Sequence, residues 1–327
     1  MFAYLVRRLL SAMFVVLFII WFTFTLQYLQ KPYGVLTPAY GFCPIKPIPS
    51  CLDPYIHKLG LRQPYFVRLY QYVEGLVVHF NLGYSYKLNQ PVWGELKLLI
   101  PRTFWLAAIS LILAILIALP LGVYQAWKRN SAFDYVATGA VFILYSVPAF
   151  VLALVLLDAF SFHSPIPYHF PASPPSGVHP WAMFTQPLYF FLPIVTLAAA
   201  SVAGLSRFMR SSVLDVLVQD YVRTAKAKGC APSRVLFKHT MRNALGPIIT
   251  IIGLYLPVLL GGALIVEDVF NYLGIGQETV VASSNNDSYM LLAITIIGTV
   301  MVVIGNLLAD LGLAIVNPRV RIEGAAR

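Results

Sequence analysis

Six long apolar runs constrain this chain more than any other feature. They lie at about Leu9–Leu29, Thr103–Trp127, Phe133–Phe160, Leu188–Leu205, Leu245–Val266 and Met290–Val316. A helix of about 20 apolar residues crosses a bilayer core roughly 30 Å thick. No water is available there to satisfy backbone N–H and C=O groups, so such runs fold as helices. The expected fold class is therefore an all-α polytopic membrane protein with six transmembrane helices. Composition agrees: 59% of the 327 residues are hydrophobic and 11% are charged, against about 25% charged in a soluble domain. A disordered chain, a disulfide scaffold and an ordinary cytosolic enzyme are excluded. Pro120, Pro148, Pro193 and Pro257 fall inside the runs. Neighbouring helices in a membrane bundle satisfy the carbonyls that proline frees.

The first run follows Arg7 and Arg8 and ends in Gln27-Tyr28-Leu29-Gln30-Lys31, with no small-residue cleavage site. It is longer than a signal-peptide core, so it reads as an uncleaved first helix. Lysine and arginine then set the orientation. With the N-terminus inside, 15 of the 23 cations fall on inner segments. The other 8 fall in one long outer loop, and long loops translocate largely regardless of charge. The expected topology is N-in and C-in, and the net charge of +10 is an orientation signal rather than a nucleic-acid footprint.

The chain divides into an N-terminal transmembrane helix over 1–29, a large extracytoplasmic segment over 30–99, and a five-helix core over 100–327. The outer segment is proline-rich at its start and amphipathic over Tyr65–Phe80. Cys43 and Cys51 lie on the oxidising side and enclose a short loop; a disulfide and two free thiols are both open readings. His163, His169 and His179 in the second outer loop lack metal-ligand spacing. No metal site and no cofactor site is expected in this chain.

The inner loop at 206–244 carries the most information. Asp220 to Lys228 contains good helix formers and no breaker. Gly229 suits the residue just past a helix end, where φ turns positive. Pro232 suits the first turn of a following helix. The expectation is helix, sharp turn, helix, with Tyr221, Val222 and Ala225 sharing one face and Lys226 and Lys228 flanking it. A basic loop lying on anionic lipid headgroups would explain the charge. A protruding element for a partner protein also explains the small residues and the hinge.

These residues resemble the EAA loop of permease subunits of binding-protein-dependent ABC importers. Arg223, Thr224 and Ala225 occupy the E-A-A places, and Gly229 is the motif glycine. Gln219-Asp-Tyr-Val-Arg-Thr-Ala-Lys-Ala-Lys-Gly229 and His239-Thr-Met-Arg-Asn-Ala244 resemble the peptide/nickel branch, first-permease type. The similarity runs nearly end to end, through Tyr4-Leu-Val-Arg-Arg-Leu9, Leu82-Gly-Tyr-Ser-Tyr86, Pro101-Arg-Thr103, Pro120-Leu-Gly122, Arg207, Arg210, Glu267, Asn306-Leu-Leu-Ala-Asp310 and Asn317-Pro-Arg319. The sequence departs at Asn317, where the family usually has aspartate, and over Tyr33–Pro54, where no match is seen.

The resemblance implies a type I ABC importer permease fold in the plasma (inner) membrane of a bacterium. It implies one of two permease subunits in a heterodimer, served by two cytosolic ATPases that bind ATP and Mg and by an extracytoplasmic substrate-binding protein. The cargo it implies is peptide, dipeptide or oligopeptide; nickel or another small solute is the alternative. It assigns Tyr221, Val222, Arg223, Thr224, Ala225, Lys226, Ala227, Lys228 and Gly229 to ATPase coupling. Glu267 and Asp310 are candidate gate or structural acids, because ionisable groups near the membrane interior carry a functional prior. Glu267 also reads as a solvated interfacial acid. The 30–99 segment reads as a contact for the binding protein, a cargo finger or a packed cap. No G-x-x-x-x-G-K-[ST] phosphate cradle occurs, so the chain is expected to be a non-catalytic subunit whose energy comes through a partner. No G-x-S-x-G and no histidine within a span argue against an intramembrane protease. The absence of an inverted repeat argues against a secondary transporter.

Overall fold

The computed structural model describes residues 2–29, 53–54, 56–57, 61–85, 87–163, 169–174 and 182–316. Side chains are described for all of these except 2–6, 9, 250, 254, 256–262 and 309–316. The principal elements are α1 (Phe2–Leu29), α2 (Tyr65–His79), β1 (Tyr84–Ser85), β2 (Gln90–Pro91), α3 (Val92–Trp127), α4 (Ala132–Ser146) and α5 (Ala149–Leu157). They continue with α6 (Ala182–Thr185), α7 (Leu188–Leu217), α8 (Asp220–Ala227), α9 (Pro232–Arg234), α10 (Met241–Val269), α11 (Ile275–Ser284) and α12 (Ser288–Val316).

Four described helices are long and apolar enough to cross a membrane, or five if α4 and α5 form one broken span. That pair answers the predicted run Phe133–Phe160, and it is bent by 99°. Val147, which precedes Pro148, adopts φ −80° and ψ 121°. Proline crowds the preceding residue out of the helical region, so the helix stops there and restarts. Pro193 is carried inside α7 without such a break. The backbone of α10 is helical over 29 residues, matching the fifth run, and Pro257 lies within it.

The chain forms two compact units. One unit comprises Met1–Thr103 with Leu273–Val303. Its core joins Val92, Leu96 and Leu99 of α3 to Ile275 and Ala282 of α11 and to Met290, Ala293 and Ile294 of α12. The spacings on α3 and α12 place these residues on one face of each helix. A short antiparallel ribbon packs here, with Tyr84 opposite Pro91 and Ser85 opposite Gln90. Asp287 anchors it: the Ser85 hydroxyl donates to one carboxylate oxygen, and the Met290 amide donates to the other at 3.2 Å. Asp287 thereby also caps α12. Gly274, before α11, has no side chain to cap with, and Thr103 Oγ1 accepts from the Ile275 amide at 2.8 Å.

The second unit comprises Phe104–Tyr272 with Ile304–Arg327. Here α7 packs against α10, α4 and α5. Its buried face includes Phe190, Leu192, Leu197, Ala198, Val202 and Leu205. Gly122 of α3 lets α7 approach closely, because a Cβ there would sit 2.7 Å from Met209 Cβ and 3.0 Å from the Arg210 amide. Buried hydroxyls bond within their own helices: Ser110 donates to the Leu106 carbonyl and Thr196 to the Leu192 carbonyl. Such self-satisfaction suits a medium without water.

One structural difference bears on the site. The sequence places the start of an inner loop at Ser206, yet α7 runs on to Leu217. Two cations end the apolar run, but the structure gives both a place on the helix. Arg207 lies 5.4 Å from the Phe142 ring centroid and 4.8 Å from that of Tyr145. Arg210 makes a two-toothed pair with Asp134 of α4, Nε to Oδ1 at 2.9 Å and Nη2 to Oδ2 at 2.8 Å.

Candidate functional site

The site is built at the ends of α7 and α10. Asp220 to Ala227 form a two-turn helix, as expected, with an acid in the first turn and Lys226 in the last. These charges complement the helix dipole. The helix end is a Schellman arrangement. The Gly229 amide donates to the Lys226 carbonyl at 3.0 Å, and the Cys230 amide donates to the Ala225 carbonyl at 3.2 Å. Gly229 holds φ +73°, a conformation that costs an L side chain about 1–2 kcal/mol. A Cβ there would meet nothing within 4 Å, so the requirement for glycine is conformational and not steric. Pro232 occupies the first turn of α9, where its missing N–H is no loss.

From α9 the chain passes through a π-turn, Val235–Thr240, into α10. The buried Thr240 hydroxyl donates to the Val235 carbonyl five residues back, at 3.1 Å. Short π segments of this kind often mark functional positions.

The structure divides the predicted coupling residues into two groups. Val222 and Ala225 are buried inside the chain, packed with Val235 and against Val216, Leu217 and Cys230. The expectation that Tyr221, Val222 and Ala225 share one face is corrected: Val222 and Ala225 are buried and pin α8 to the end of α7, whereas Tyr221 is exposed. Tyr221, Arg223, Thr224, Lys226, Ala227, Lys228 and Gly229 are exposed. Tyr221 does not share the buried face. Its hydroxyl accepts from Asn243 Nδ2 at 2.8 Å, tying α8 to the start of α10. Beneath it, the Ser212 hydroxyl donates to the Ala244 carbonyl at 2.7 Å, and Met209, Val213, Ala244 and Ile248 form a buried seam. The short helix is thus fixed to two long helices by apolar contacts and hydrogen bonds.

The other predicted residues are dispersed. Glu267 is fully buried at the end of α10, which overturns its reading as a solvated acid. Asp310 lies on α12, and its side chain is outside the described residues. Cys43, Cys51 and His179 also lie outside them. His163 Nδ1 lies 2.9 Å from Asp158 Oδ1, and His169 Nδ1 lies 3.1 Å from the Ser161 carbonyl.

Two features escaped the sequence. Asp134 bears no motif, and its partner Arg210 is 76 residues away. The only signal is an acid beside Ser131, which caps α4 by accepting from the Asp134 amide. The second is Glu278. Burial, reinforced by the like charges of Glu95 and Asp287, pushes its carboxyl up to about 7, while Lys87 opposes the rise. The folded value lies above the ordinary 4.5. Its contribution to stability is therefore fully present below pH 4.5 and is lost as pH rises through about 7. Glu278→Gln is expected to raise stability at pH 8, by of order 2 kcal/mol, and to change it little at pH 5. Thermal melts of the purified protein at the two pH values measure this; equal pH drift in both proteins would contradict it.

The chain matches the family described as "Binding-protein-dependent transport system inner membrane component" over residues 118–322. Residues 1–107 match the companion N-terminal family, "Binding-prot-dependent transport system membrane comp, N-term". It is 38% identical over 273 residues to the oligopeptide transport system permease protein AppB of Bacillus subtilis (strain 168), covering 82% of this chain and 84% of that protein. It is 33% identical over 289 residues to the dipeptide transport system permease protein DppB of Escherichia coli (strain K12), covering 81% and 83%. An inward-facing crystal structure of the MetNI methionine ABC transporter superposes with a TM-score of 0.55 at 15% identity, covering 69% of this chain and 97% of that one. That likeness concerns the fold alone. With both halves of the chain matched and relatives of this similarity along most of its length, the protein belongs to the inner-membrane components of binding-protein-dependent transport systems.

Proposed function

We propose that this chain is a transmembrane subunit of an ATP-driven peptide importer. It forms half of the translocation pathway and holds no nucleotide itself. A second permease subunit completes the pathway as a heterodimer. Two cytosolic ATPases bind ATP and Mg, and an extracytoplasmic binding protein delivers cargo. The chain spans the inner membrane six times, with α1, α3, the broken pair α4–α5, α7, α10 and α12 as the spans, and both ends face the cytoplasm. The distribution of lysine and arginine supports this orientation. The names of the relatives, oligopeptide and dipeptide permeases, favour peptide over nickel.

The observation that carries the coupling role is the fixed short helix. Its exposed face, with Tyr221, Arg223, Thr224, Lys226, Ala227 and Lys228, fits a groove on an ATPase. Its buried face transmits the movement. Glu267, buried at the end of α10, has a structural role; Asp310 remains the candidate for locking the inner end of α12 or for gating.

The test is purification of the tagged chain from its native membrane, followed by uptake assays in proteoliposomes. The expected result is co-purification of a second permease and P-loop ATPases, with ATP-dependent uptake of di- or oligopeptides when the binding protein is added. Recovery without ATPases, or uptake of nickel chelates without peptides, would overturn the proposal.

A further inference from the structure

The two arginines of α7 are treated differently by the fold. Arg210 is held by Asp134. Arg207, one turn earlier, is exposed, and among the described residues it pairs with no carboxylate. Its guanidinium lies instead against the rings of Phe142 and Tyr145 on α4, with centroids at 5.4 and 4.8 Å. Both rings are themselves exposed, at 52% and 60%. Tyr255 of α10 stands close enough to interact electrostatically with both Arg207 and Tyr145. Its hydroxyl lies over the backbone of α7 at Gly204, where a Cβ would overlap it. Three helices of the second unit thus bring a cation, two ring faces and a phenol to one open surface.

The depth of that surface decides what it can face. The turn before α4 carries Lys128 and Arg129, which mark a membrane boundary. Phe142 and Tyr145 lie ten and thirteen residues past Ala132, about 15 and 20 Å along the helix, in a core about 30 Å thick. A guanidinium exposed near mid-membrane is too costly to face lipid. The backbone makes the same point. The helix breaks between Ser146 and Ala149, Pro148 donates no bond to the Leu144 carbonyl, and Tyr145, Ser146 and Pro148 are exposed. Non-helical backbone at membrane depth occurs only against protein or beside a water-filled cavity. Seams between membrane helices favour small residues that let backbones approach. The exposed side chains here are large, with a few polar groups among aromatic rings, as in the lining of a ligand cavity. The guanidinium fork suits a carboxylate, to which it donates two parallel bonds.

We infer that Arg207 lines the translocation pathway and receives the C-terminal carboxylate of the passing peptide, while Phe142 and Tyr145 offer ring faces to its side chains. This inference rests on the reading of the chain as a peptide importer subunit. It assigns to the permease a preference for a free carboxylate that is separate from the selectivity of the binding protein.

The test uses the complete complex in proteoliposomes, with the binding protein saturated by trialanine or by trialanine amide. The wild type is expected to take up trialanine at least about tenfold faster than the amide. Arg207→Gln is expected to bring the two rates together, chiefly by slowing trialanine. Arg207→Lys keeps the charge but loses the fork, so its ratio falls between. The same binding protein serves every variant, so a change in the ratio belongs to the permease. If Arg207→Gln does not insert in the membrane, Arg207→Lys carries the comparison, and a ratio below that of the wild type supports the inference. Equal rates for the two peptides in the wild type, or a wild-type ratio in the variants, overturn the inference and leave the importer reading intact. Loss of the second permease from inserted Arg207→Gln would assign the guanidinium to a seam between subunits and overturn it as well. A wild type that takes up neither peptide overturns the peptide reading itself, and this inference with it.

Discussion

Arg210→Ala is expected to destabilise the protein by roughly 3–5 kcal/mol, the cost of stranding one member of a buried ion pair. The carboxylate of Asp134 is 3% exposed, whereas the Arg210 side chain is 29% exposed. Removing the arginine leaves a buried anion held only by the Asn130 amide at 3.0 Å and the Thr138 hydroxyl at 3.4 Å. Asp134→Ala should cost less, because Arg210 can swing toward water or headgroups. The double variant should be more stable than Arg210→Ala alone, since no unpaired charge remains buried. Arg210→Lys should not rescue, because a point charge cannot meet both carboxylate oxygens. Melting temperatures of the detergent-purified variants provide the measurement. A ranking in which Asp134→Ala is worse, or in which the single losses add in the double variant, would show that the pair is not what joins α4 to α7.

Gly229→Pro and Gly229→Val are expected to lower uptake at least tenfold while leaving the chain in the membrane and ATP hydrolysis running. The basis is the backbone. Proline fixes φ near −65°, opposite in sign to the +73° observed, and removes the amide that donates to Lys226. Valine retains the amide but is strained at positive φ, at about 1–2 kcal/mol. Either change alters the turn between α8 and α9. Gly229→Asn should retain most of the uptake, because asparagine tolerates the left-handed region. Ala225→Leu should behave like the damaging pair for a different reason: its Cβ is buried against Val222, Val235 and Cys230, and three more carbons force α8 away from α7. Parallel assays of uptake and ATP hydrolysis in proteoliposomes distinguish uncoupling from misfolding. Wild-type uptake in Gly229→Pro would refute the coupling role.

The legible part of the site was local. Gly229 and Pro232 announce the turn because each residue type has a backbone restriction that acts without neighbours. The helix over Asp220–Ala227 follows from propensity and end charges. What was not legible is which side of that helix faces the protein. Val222 and Ala225 are small and apolar on a polar helix, and such a pair suits a docking groove as well as an internal seam. The answer depends on Val216, Leu217 and Val235, which the chain brings there only by folding back. The pair Asp134–Arg210 was hidden for the same reason, as was the bend at Val147, whose angle of 99° no local rule specifies.

Apolar run length and cation placement determine by themselves that this chain lives in a membrane, and they mark its long helices and favoured orientation. These follow from the transfer of single segments between water and lipid, a sum over residues in one stretch. The tertiary structure alone decides that α7 continues through two arginines and that Glu267 is buried. Those outcomes depend on whether a charge finds a partner, and the partners come from helices distant in sequence.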